Sequence, residues 1–88
     1  DFNLMLRKGK CEGKMRGENL AAGEHKTVHG CEGMTLIYCG VGEVHVIVGE
    51  ESVELKADEA ARLDGFAGEV KLCSKAGAKL MLAKAKAL

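Results

Sequence analysis

The sequence contains no proline and no tryptophan, and its aromatics stop at Phe2, Tyr38 and Phe66. Its 13 basic side chains are matched by 13 acidic ones, so the formal net charge is zero. A neutral chain lacks the basic field that draws a protein onto phosphate backbones, and three aromatic rings offer little on which unpaired bases could stack. Nucleic acid is therefore not expected as a partner. No apolar run approaches the ~18–20 residues that span a bilayer as a helix, and no apolar leader segment is visible, so neither a membrane nor a secretory address is expected. The four cysteines (Cys11, Cys31, Cys39, Cys73) form no C-x-x-C pair and no zinc-ribbon spacing. They read as reduced thiols of a cytoplasmic protein.

What the chain does have is apolar content and glycine. Hydrophobic residues reach 47% of 88, far above a disordered composition, and that length makes one small domain. With proline absent, the 12 glycines carry the turn chemistry and imply many short elements. Met34 to Cys39 is a continuous apolar run, Gly40-Val41-Gly42 reads as a hairpin turn, and Glu43 to Val48 places Val44, Val46 and Val48 on one face. Gly49-Glu50-Glu51 reads as the next turn, followed by an alternating stretch, Ser52 to Leu55, and a break at Ala57-Asp58-Glu59. The segment from Leu4 to Met15 reads as two short strands around a charged turn, and His25 to Gly30 as strand or loop. Lys56 to Leu63 and Lys79 to Leu88 have helix-favouring composition. In the second, both periodicities fit; Lys79 to Ala83 is taken as strand and Lys84-Ala85-Lys86 as a frayed end. Strands and glycine turns at this spacing point to an all-β sandwich or barrel.

The opening Asp-Phe-Asn-Leu-Met-Leu-Arg-Lys-Gly (Asp1 to Gly9) resembles a segment in the middle of the HutD/Ves family of cupin-like proteins. Leu20-Ala-Ala-Gly23, Tyr38-Cys39-Gly40-Val41-Gly42-Glu43-Val44, Leu55-Lys56-Ala57-Asp58-Glu59-Ala60 and Gly77-Ala78-Lys79-Leu80-Met81-Leu82 follow that family's C-terminal half in order. The resemblance implies a single cupin-type jelly-roll β-barrel, the double-stranded β-helix, over residues 1–88. Because the family's members carry two barrels in tandem and this chain starts at Asp1, it is expected to be one half of such a protein, and its uncovered surface to pair two copies into a homodimer. The resemblance further implies a regulatory binding role linked to histidine utilisation or stress response in bacteria, with a small anionic metabolite as ligand and no catalytic residues.

A metal-dependent cupin projects imidazoles and a carboxylate into its barrel. Counting back from Gly42 along the usual cupin motif puts His29 and Cys31 at the two histidine positions and Thr35 at the glutamate, and no histidine follows Ala57-Asp58. No cofactor is expected on that count, with His29 and Cys31, joined by His45 or Glu32, as the residual metal candidates. His25 and His29 would share a strand face ~13 Å apart, too far for one ion. His29 beside Cys31 is also the one pair with the makings of an activated thiol, but nothing orients it. The expected ligand contacts are Tyr38 and His45 on the central strands, with Arg7, Arg16 or Arg62 neutralising a carboxylate. The rival readings are a metal-dependent cupin enzyme with a reduced His/Cys set and a structural, self-associating barrel without ligand.

Overall fold

The computed structural model describes residues 11–87. They form seven strands and no helix: β1 (Cys11–Leu20), β2 (His25–His29), β3 (Met34–Val48), β4 (Glu51–Lys56), β5 (Ala60–Asp64), β6 (Glu69–Cys73) and β7 (Ala78–Ala87). All pairings are antiparallel, in the order β1-β7-β3-β6-β2, with β4 and β5 also paired to β3. The first half of β3 lies between β7 and β5, and its second half between β4 and β6. One strand therefore belongs to two facing layers, β1-β7-β3-β5 and β4-β3-β6-β2.

The Gly40-Val41-Gly42 segment is not a hairpin turn. It lies inside β3, where the register against β7 steps from Cys39 opposite Leu80 to Val41 opposite Lys79, leaving Gly40 as an extra residue. Such a bulge bends a strand and shifts its side-chain alternation by one. Before it the buried residues are Thr35, Ile37 and Cys39; after it they are Val44 and Val46. Without the extra residue, the valines of the second half would face solvent. Gly42 has φ +84, and a Cβ there would meet the Gly77 carbonyl oxygen at 2.1 Å. Glycine is thus needed at Gly42 on both counts.

The core between the layers is aliphatic: Ile37, Cys39, Val44, Val46, Val70 and Leu72 are at most 2% exposed, with Leu20, Val28, Leu55, Leu80 and Leu82 around them. Each such valine, leucine or isoleucine contributes roughly 1.5–3 kcal/mol by leaving water. The helix-favouring C-terminal stretch is strand as far as Ala87, because β1 pairs with it residue for residue from Cys11 to Leu20. Lys56 to Leu63 likewise holds the end of β4, a turn and most of β5. Glycines 13 and 17 lie within β1 rather than breaking it, and the first part of the two-strand reading over Leu4 to Met15 falls outside the described residues. On one side the layers are tied by Lys26 Nζ of β2 to Glu18 Oε1 of β1 at 3.1 Å. The opposite side, between the edges of β4 and β5, is open.

Candidate functional site

That open side is a groove of about 410 Å³ lined by Val46, Val48, Glu51, Ser52, Val53, Ala61 and Leu63. Its position follows from register: Val46 pairs with Val53 and Val48 with Glu51, so these face inward from β3 and β4, while Ala61 and Leu63 do so from β5 opposite Ile37 and Thr35. Because β4 and β5 both pair with β3 but not with each other, their inner faces splay. Val53 is left 47% exposed on an inward position. The groove has an apolar floor with one hydroxyl and one carboxylate at its rim, suited to holding the apolar body of a small molecule.

The sequence-proposed contacts among the described residues do not gather there. Tyr38 lies on the outer face of β3, and its hydroxyl donates to Asp58 Oδ1 in the β4–β5 turn. That bond raises the Tyr38 pKa above its ordinary value, with Asp58, at φ 70, as the acceptor. The Asp58 N–H in turn donates to the Cys39 carbonyl at 2.7 Å, and the Cys39 N–H to the Glu59 carbonyl at 2.9 Å, so Tyr38 anchors this turn. Arg62 points outward from β5, largely exposed, with Nε 3.1 Å from Asp64 Oδ1. Arg16 is exposed on β1 opposite Leu82. Arg7 lies outside the described residues.

His45 also faces outward. Its Nε2 is 3.2 Å from Glu54 Oε2, directly opposite on β4, and 4.0 Å from Glu43 Oε2, two residues back on the same face. Glu43 Oε1 accepts from the Ser74 hydroxyl at 3.0 Å and the backbone N–H groups of Lys75 at 2.9 Å and Ala76 at 3.2 Å. The Ala76 N–H, followed by the Ser74 hydroxyl, holds the Glu43 carboxyl below its usual pKa. Glu43, Glu54 and Ser74 were missed by the sequence reading. Glu43-x-His45 was visible as a same-face pair, but Glu54 joins it only through the β3–β4 register.

Among the described residues, the residual metal candidates His29 and Cys31 do not meet inside the barrel. His29 is exposed at the end of β2, opposite Glu69. The Cys31 thiol contacts the Met34 carbonyl at 3.3 Å, the Cys31 N–H donates to Thr35 Oγ1 at 3.1 Å, and Thr35 itself is buried. Among the described residues the buried polar side chains are Thr35 and Ser74, and no histidine, aspartate or glutamate is buried. Cys31, Cys39 and Cys73 are free; the Cys11 side chain lies outside those described. Burial raises the Cys39 pKa, with nearby Glu43 acting the same way. Among the described residues, no helix is long and apolar enough to cross a membrane.

The family model of HutD matches residues 1–82. The chain belongs to the HutD family. No protein with a curated description matches this sequence. Among solved structures, this HutD-family chain resembles a conserved protein of unknown function, PA5104, from Pseudomonas aeruginosa PAO1, with a TM-score of 0.78 at 13% identity over 90% of this chain and 42% of that one. It therefore spans about two-fifths of the Pseudomonas protein's length. The cupin domain of an XRE family transcriptional regulator from Enterobacter cloacae follows at 0.70 and 15% identity, over 81% of this chain and 78% of that one. A cupin superfamily protein from Desulfitobacterium hafniense gives 0.69 and 13%, over 92% and 82% respectively. The HutD-family chain is thus an all-β domain of the cupin, or double-stranded β-helix, fold.

Proposed function

We propose that this barrel is a non-catalytic binding module that takes a small carboxylate metabolite in a regulatory role, with the ligand's apolar body in the groove between β4 and β5. The observation that carries the reading is the groove itself: Val48, Val53 and Leu63, apolar residues on inward positions, line an opening of ligand size instead of being covered by strand. The carboxylate preference rests on the HutD resemblance alone, since the lining includes Glu51 and no arginine. A metal-dependent enzyme is the weaker reading, because among the described residues no histidine, aspartate or glutamate is buried inside the barrel.

A screen of mono- and dicarboxylates of increasing chain length, by thermal shift and by NMR, tests the module. A saturable response from the groove residues, lost in Val53→Asp, is the expected result. Absence of any saturable response refutes the binding role, and a response that survives Val53→Asp refutes the groove.

A second reading, self-association, is supported by the outer face of the β1-β7-β3-β5 layer. Register puts Met15, Ala83 and Leu36 in one row across three strands, with Met34 and Ala85 and then Met81 in the flanking rows. Met15 is 52% exposed. We propose a second copy of this chain as the occupant of that face. Neutral net charge leaves little to keep two copies apart.

A further inference from the structure

The outer face of the second layer carries a row unlike the rest of the surface. Glu54 of β4, His45 of β3, Cys73 of β6 and His25 of β2 stand directly opposite one another in register, and Glu43 lies two residues back along β3 from His45, on the same face. The ligand atoms of Glu43, His45 and Glu54 all fall within 4.8 Å of one another.

Two further features separate this group from an ordinary surface ion pair. Glu43 is held in place: its Oε1 takes three donors from the Ser74–Ala76 segment, so the carboxylate cannot swing away as exposed glutamates do. Its other oxygen, Oε2, is shielded from solvent and has no hydrogen-bond partner among the described residues, yet it sits 4.0 Å from His45 Nε2. A buried carboxylate oxygen without a donor is costly, and a cation supplies what is missing.

We infer that Glu43, His45 and Glu54 form a binding site for one divalent transition-metal ion, such as Zn²⁺, on the outside of the barrel. One imidazole nitrogen and two carboxylates are borderline donors that suit zinc and its first-row neighbours better than Mg²⁺ or Ca²⁺, which prefer all-oxygen shells. Bonds of about 2.0–2.2 Å place donors in a tetrahedral shell roughly 3.3–3.5 Å apart. The 3.2 Å between His45 Nε2 and Glu54 Oε2 is already of that order, and the 4.0 Å to Glu43 Oε2 closes by a small side-chain shift. The three side chains are partly exposed, so water can complete the shell. Glu43 serves as the fixed ligand, while His45 and Glu54 adjust to the ion. Lys56, opposite Glu43 on β4, is the nearby cation in register, with a flexible stem that can withdraw. The assignment stands apart from the groove, which lies on the inner side of the same strands.

Isothermal titration with Zn²⁺ of the intact chain, previously stripped with chelator, tests the site. The expected result is saturation at one equivalent, with affinity at least about tenfold lower in His45→Gln and in the exposed-side variant Glu54→Gln. A His29→Gln/Cys31→Ser double variant should bind as the parent does. Circular dichroism of each variant establishes that it is folded. No saturable uptake by the parent overturns the assignment. Uptake undiminished in folded His45→Gln, or uptake lost with His29 and Cys31 instead, overturns it equally.

Discussion

The bulge in β3 makes a quantitative test of how the barrel is built. Gly42→Ala would place a methyl group 2.1 Å from the Gly77 carbonyl oxygen and 3.1 Å from the Ala78 Cα, at φ +84. Gly49→Ala, in the β3–β4 turn, meets nothing within 4 Å and has φ +60. The two substitutions share the strain of a left-handed backbone, about 1–2 kcal/mol per residue. Only Gly42→Ala adds overpacking against backbone that cannot rotate aside, typically a further 1–3 kcal/mol and occasionally more. The expected losses are therefore about 1–2 kcal/mol for Gly49→Ala and roughly 2–5 kcal/mol for Gly42→Ala. For a domain whose whole stability is of order 5–15 kcal/mol, the larger loss is a substantial fraction. Urea denaturation measures both, and for a chain of this size the difference appears as a melting temperature lower by several degrees, at about 4–8 °C per kcal/mol. Equal losses from the two variants would refute the close approach of β3 to the start of β7 at Gly42.

The remaining predictions concern chemistry and packing. Leu72→Ala, at a position 1% exposed, should cost about 2–5 kcal/mol in the same denaturation assay; a loss under 1 kcal/mol would mean the layers do not pack as described. Cys39, buried and with its pKa raised, should react with a thiol reagent more slowly than Cys31 and Cys73, both half-buried, in the native protein; four thiols in all should titrate after unfolding. Since its neutral form is favoured by folding, stability from Cys39 is fully present below the ordinary thiol value and falls as pH rises from there towards the raised native value. The Glu43 carboxyl has the opposite sign: its contribution is present above the ordinary carboxylate value and is lost as pH falls through the depressed native one. The stability gap between the parent chain and Glu43→Gln should accordingly narrow on acidification, and a gap independent of pH would argue against the brace from Ser74 to Ala76. Light scattering should report a dimer that Met15→Glu shifts to monomer; a monomeric parent down to low micromolar concentration rules out self-association through that face.

Strand content was readable where one face alone is apolar, as in Val44, Val46 and Val48. Met34 to Cys39 was also readable as strand, but not which of its faces points inward, because the outer face there is apolar too through Met34 and Leu36, which removes the alternation. Two glycines separated by one residue have the local chemistry of a hairpin, and only the pairing of Cys39 with Leu80 and Val41 with Lys79 shows that the first of them is a bulge inside one strand. That extra residue also moves the inward positions from odd to even numbers, so no single parity could say which residues face the core. The C-terminal alternation of alanine and lysine was ambiguous because its strand state is set by β1, some seventy positions away in sequence. At the site, His45 was singled out but its neighbours were not. The turn after Val48 contains Gly49 and Glu50 alone, with Val48 opposite Glu51, and counting outward from that pair gives His45 opposite Glu54. A turn read one residue longer, through Glu51, cannot make that count.

The shared strand also governs how the molecule comes together and comes apart. Since β3 contributes to both layers, neither layer can detach while the other persists, and opening either one strips partners from the same backbone. Amide hydrogens of Ile37 and Val46, on opposite sides of the bulge, should then exchange with solvent at one common rate set by complete unfolding. The outermost strands pair across long sequence separations, β1 with β7 and β2 with β6, so loop-closure entropy must be met before those contacts form. Refolding is accordingly expected on the millisecond-to-second scale typical of such topologies, with β3 the segment whose placement all the others await.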